Sequence, residues 1–159
     1  MPLVNRVRPR IGDVIEIPTP KGFAYAHFTH KDPETTALVI RVLPGLFPDR
    51  PNDFSGLVQK QPRFITMFPL GAACHRRIVR VVAAEPIPAH SASFPTFRFN
   101  MDLHSGKLLG PWSLWDGSTT RRVETLTSEE FRQYPPNGIV NDTLLIERIL
   151  SGWSHEKRR

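Results

Sequence analysis

Six histidines, one cysteine and a scatter of carboxylates could do chemistry in this chain, and their spacing decides how much. His27 and His30 are three apart. On a helix they would share a face and could grip a metal, but on a strand an odd spacing sends them to opposite faces. Few other donors lie nearby in the sequence, so no metal site is expected. Cys74-His75 pairs a nucleophile with a base, yet adjacent residues rarely aim at each other and no acid or amide stands by to orient the imidazole. The reading is a small buried thiol beside a surface imidazole. His90, His104 and His155 fall in loops or at the chain end without ligand spacing. There is no phosphate-cradling glycine loop, no G-x-S-x-G and no H-E-x-x-H. Asp13, Glu16 and Glu85 do not pair recognisably. The residues point to no catalytic group, no cofactor and no metal, and an enzyme is not expected.

Two stretches carry residues suited to partner contact. Trp112 and Trp115 have opposite parity, and Arg121-Arg122 follows across a hairpin turn at Asp116-Gly117-Ser118. Tryptophan and arginine are common interface anchors. The alternative is one core tryptophan and one edge tryptophan under a stacked arginine. Both readings stand. The second stretch is the long proline-rich connection 44–62, where Asp49 and Asp53 flank Arg50. Loops of that length are often functional.

The elements that must position these residues read as mostly β. Sixteen prolines and ten glycines spread along the chain favour short elements and turns. Ile11 to Phe28 is the clearest: an alternating strand, a turn at Thr19-Pro20-Lys21-Gly22, and a second strand alternating Phe23, Tyr25 and His27 with Ala24 and Ala26. The bulky side reads as core; the alanine side expects close approach of other backbone. Residues 36–43 are apolar on both parities, the pattern of a central strand. Strands are also expected over 63–68, 78–84, 96–101, 112–115 and 119–126, while 70–77 could be loop or helical turn. Thr127 and Glu130 form a capping box opening a short helix. Asn141 or Asp142 caps a second one, whose Ile146, Ile149, Leu150 and Trp153 make one apolar stripe. The expected fold is α+β, predominantly β: a twisted antiparallel sheet or partly closed small barrel with two short C-terminal helices packed on it. Residues 1–10 read as a basic irregular lead-in, 11–153 as one globular domain and 154–159 as a basic tail.

The net charge of +6 sits mainly at the ends, +3 in residues 1–10 and +2 in residues 151–159. Basic ends suit nucleic acid or an acidic partner, or are merely solvated. A single cysteine, no apolar leader and no membrane-length run make the cytoplasm the expected compartment.

Short stretches also resemble a known family. Gly12-Asp13-Val14-Ile15-Glu16-Ile17-Pro18 with Lys21-Gly22-Phe23-Ala24-Tyr25, then Ile78-Val79-Arg80-Val81-Val82 with Glu85-Pro86-Ile87-Pro88, Pro95 and Phe97, and Tyr134-Pro135-Pro136 with the helix up to Leu150 and Gly152, resemble the bacterial polymorphic-toxin immunity protein family numbered 26. The resemblance implies a mainly β protein that neutralises a cognate toxin by direct binding, and supplies no catalytic residues. The alternative function is a small β-barrel binding nucleic acid through basic ends and exposed aromatics. Oligomeric state is not legible.

Overall fold

The computed structural model describes residues 8–33, 35, 37–101 and 108–157. Most of the basic lead-in (1–7), Glu34, the turn at 104–107 and the last two arginines lie outside the described residues.

The opening hairpin forms as its alternation requires. Strand β1 (Asp13–Thr19) pairs antiparallel with β2 (Gly22–Lys31) in the register Thr19↔Gly22 through Val14↔His27. Gly22 has φ +126°, a conformation that a Cβ would strain. A Cβ there would also lie 2.8 Å from the Phe47 carbonyl oxygen. The hairpin is the centre of a five-stranded antiparallel sheet in the order β4-β3-β2-β1-β5, with β3 at Leu38–Val42, β4 at Phe64–Phe68 and β5 at Arg80–Ala84. Helix α1 (Ser55–Gln59) interrupts the 44–62 connection, and α2 (Leu70–His75) resolves the ambiguous 70–77 stretch as helix.

A second, three-stranded antiparallel sheet runs β6-β7-β8: Phe97–Met101, Leu108–Trp115 and Thr120–Val123. Helices α3 (Ser128–Gln133) and α4 (Asp142–Ser151) follow. The capping box at Thr127 and Glu130 closes with bonds of 3.1 and 3.0 Å. Asn141 caps α4, and Gly152 ends it in the left-handed conformation. The fold is thus mostly β, in two antiparallel sheets with short helices; neither sheet closes into a barrel.

The central strands are buried on both faces, where β1 alone reads as one-sided. Ile15, Ile17, Ala24, Ala26 and Phe28 face one core with Leu145 of α4 and Trp153. The alanine side therefore marks the close approach of the helix layer. Val14 and Tyr25 face a second core, roofed by Phe54, Leu57 and Val58 from 44–62. That roof is fastened by Phe23 and Phe47, which exchange backbone bonds of 2.7 and 2.9 Å. A third cluster of Val39, Met67 and Phe97, with Phe94 and Trp115 against it, joins the two sheets. Ile11 departs from the expected parity: β1 begins only at Asp13, after Gly12 at φ +101°, and Ile11 is exposed.

Candidate functional site

The buried titratable groups hold the fold together, and one of them, Arg41, also lines a cleft. Glu16 is the first of them. Its carboxylate lies under the 44–62 roof and accepts from Tyr25 Oη at 2.9 Å and from Arg50 Nε and Nη2 at 2.6 and 2.9 Å. Burial alone would raise its pKa; Arg50 and Tyr25 hold it below the usual carboxylate range. Burial and the same carboxylate push the Tyr25 phenol well up. Arg50 is thus turned inward as a clamp on the roof. Asp53 is exposed and organises the start of α1 through the Ser55 amide and hydroxyl, at 2.9 and 2.8 Å. Asp49 is exposed.

The histidines are mostly structural as well. His27 is buried with Nε2 at 3.0 Å from the carbonyl oxygens of both Gly12 and Glu85, tying β1 to β5, and burial lowers its pKa. A bulge between Phe28 and His30 breaks the pairing with β3, and no group of three or more metal-ligating residues forms among the described residues. Cys74 is buried and His75 exposed, as the sequence implies; burial pushes the thiol up to about 11. His155, which the sequence assigns to a basic tail, is instead packed into the domain: Nε2 accepts from the Ile65 amide at 2.7 Å and Nδ1–H donates to the Arg132 carbonyl at 2.8 Å.

Around Trp112 to Arg122 the two tryptophans do take opposite faces, and each is half-buried against aromatic neighbours. Trp112 meets Phe131 of α3 edge-on at 5.3 Å; Trp115 packs on Phe94 and Phe97. Arg121 and Arg122 are exposed on the edge strand β8, opposite Leu114 and Ser113. The arginines that stack on aromatic rings are others: Arg98 over Phe131 and Arg148 over Trp153. Arg98 alternates away from the Phe97 face and should meet solvent. It is buried because α3 and the C-terminal segment cover that side, and their carbonyls at Phe131, Tyr134 and His155 accept from its guanidinium.

The remaining feature is a half-open cleft of about 520 Å³ between β3–β4, the 90–96 segment, α3 and residues 154–156. Arg41, Arg63 and Arg132 line it, with Glu156 as the sole carboxylate among the lining residues. Arg132 pairs with Glu129 at 2.8 Å and with Glu156 at 3.7 Å. Arg63 is exposed at the rim. Arg41 is different in kind, being buried at 5% exposure. Its Nε donates to Thr29 Oγ1 at 3.1 Å and its Nη2 to the Ser93 carbonyl at 2.9 Å. The Thr29 hydroxyl in turn lies 2.9 Å from His30 Nδ1, and His30 Nε2–H donates to the Ala92 carbonyl at 2.9 Å. This relay fastens the 92–93 backbone to the sheet. Arg41 makes no ion pair among the described residues, and burial without a counter-charge lowers its pKa to about 10. Sequence reasoning missed this site. The only signal was one arginine inside the apolar run 36–43, a residue that a strand covered on both faces should not tolerate without reason.

No family model, curated protein or solved structure matches this chain.

Proposed function

We propose that the chain is a non-catalytic intracellular binding protein of the immunity type, which neutralises a cognate bacterial toxin by docking an acidic surface of it on the basic cleft. The observation that carries this reading is the cleft itself, lined by three arginines against one glutamate, with one of those arginines buried and in no ion pair among the described residues. A buried cation without a counter-charge is costly, and an acidic partner arriving at the cleft supplies the missing charge. A net positive charge in a concave site also steers an oppositely charged partner. The resemblance of short stretches between residues 11 and 153 to the immunity family numbered 26 favours the same class. Arg121 and Arg122 are exposed on β8 and do not line the cleft.

Calorimetry with the protein encoded beside this gene tests the reading. Saturable binding that weakens as salt rises supports it; no binding at micromolar concentration overturns it. Preferential, salt-dependent binding of RNA or DNA through the same cleft would favour the nucleic-acid alternative instead.

A further inference from the structure

The third nitrogen of Arg41 is not used by the fold. Nε and Nη2 are engaged, and no hydrogen bond to Nη1 is present among the described residues. Among the described residues, Arg148 Nε is the one fully buried side-chain nitrogen or oxygen without a partner, so Nη1 is not sealed in the interior. Arg41 lines the cleft, and Nη1 is therefore the donor it leaves open there. The relay through Thr29, His30 and Ser93 holds the guanidinium in one orientation, so its entropy is already lost before anything binds.

We infer that Arg41 Nη1 is a preorganised carboxylate anchor, which takes one aspartate or glutamate side chain from an acidic segment of the partner while Arg63 and Arg132 close on the same segment from the rim. This rests on the reading of the cleft as the partner-binding surface and adds the chemical group that the cleft selects. A carboxylate suits the geometry better than a phosphate does. At the floor the open N–H groups all belong to one guanidinium, whereas a tetrahedral dianion is held by converging donors from several groups. Two of the three arginines stand at the exposed rim, where they attract without specifying. Burial, and to a lesser degree the Arg41 charge, lowers the pKa of His155, which also lines the cleft.

Titration of the full chain with N-acetylglutamate capped as its α-N-methylamide, followed by the arginine side-chain and backbone NMR signals at constant ionic strength, tests the anchor. The expected result is a saturable shift of the Arg41 guanidinium and of Thr29 and Ser93, with a dissociation constant on the order of millimolar, and weaker binding of inorganic phosphate. Arg41→Gln should weaken the carboxylate about tenfold or more, as loss of a charge-assisted hydrogen bond does. Should that variant not fold, the parent's own Arg41 signal decides, and the paired rim changes Arg63→Gln and Arg132→Gln should weaken binding without abolishing saturation. Phosphate binding tighter than the capped glutamate overturns the carboxylate assignment. Shifts that never saturate, or that are as large at Arg121 and Arg122 as at Arg41, overturn the anchor. The anchor and the functional reading fail separately. Binding of the small carboxylate without binding of the neighbour-encoded protein sinks only the function; the reverse sinks only the anchor.

Discussion

Lowering the pH should loosen the contact between β4 and the C-terminal segment, and His155 sets how much. Its imidazole is neutral in the fold because Nε2 must accept from the Ile65 amide while Nδ1–H donates to the Arg132 carbonyl. A proton on Nε2 would break the first bond and place a charge near Arg98, Arg148 and Arg41. Burial, aided by those three arginines and opposed by the Arg132 carbonyl, lowers its pKa from 6.5 to about 4. A base with a depressed pKa binds fewer protons folded than unfolded between those two values, so stability rises with pH across that window. All of the contribution is present above about pH 6.5 and is lost as pH falls to about 4, a total of about 3 kcal/mol at ~1.36 kcal/mol per pH unit. The assay is urea unfolding from about pH 7.5 to pH 4.5, compared with His155→Gln, whose amide can both accept and donate but does not titrate. With a slope of about 2 kcal/mol per molar urea, the parent's midpoint should fall by roughly 1 M more than the variant's. His27 and His30 contribute in the same direction to both proteins and cancel in the difference. Parallel midpoint curves for parent and variant would refute the reasoning.

Other changes probe the parts that position the cleft. Gly22→Val should cost about 2–3 kcal/mol, since the new side chain meets both a left-handed φ and the Phe47 carbonyl; an unchanged Tm would contradict it. Arg50→Ala leaves the Glu16 carboxylate buried with Tyr25 as its remaining hydrogen-bond donor. It should destabilise by about 2–3 kcal/mol, at the low end for a buried pair because Arg50 is 30% exposed, and should increase protease cutting within 44–62. Arg98→Met strands the carbonyls of Phe131, Tyr134 and His155. Amide exchange in α3 and residues 153–155 should then accelerate more than exchange in β1 and β2.

How much of this was legible depended on whether the signal was local. The β1–β2 hairpin was readable because alternation and a glycine turn are encoded within eighteen residues, and the Thr127 capping box because it spans four. The two-sided burial of β1 was not, since its second cover comes from 44–62 and its anchor, Arg50, is thirty-four residues from Glu16. Arg50 read as a partner-contact residue between two acids, yet it points inward because Glu16 needs a counter-charge under the roof. His155 likewise read as part of a loose tail, and nothing within the 96–101 strand announced the burial of Arg98. Their partners are backbone carbonyls and an amide, which side-chain identities do not announce. The cleft was least legible of all, because Arg41, Arg63 and Arg132 are brought together by sheet pairing and by the return of the chain end.

The central claim is that this basic cleft receives an acidic protein surface. Calorimetry of the neighbour-encoded protein with the parent chain and with a variant carrying Arg63→Glu and Arg132→Glu, both substitutions at exposed positions, tests it most directly. The account predicts micromolar or tighter binding to the parent, weakened about tenfold or more by the charge reversal. Equal affinity for the two proteins, or no binding to the parent, would contradict it.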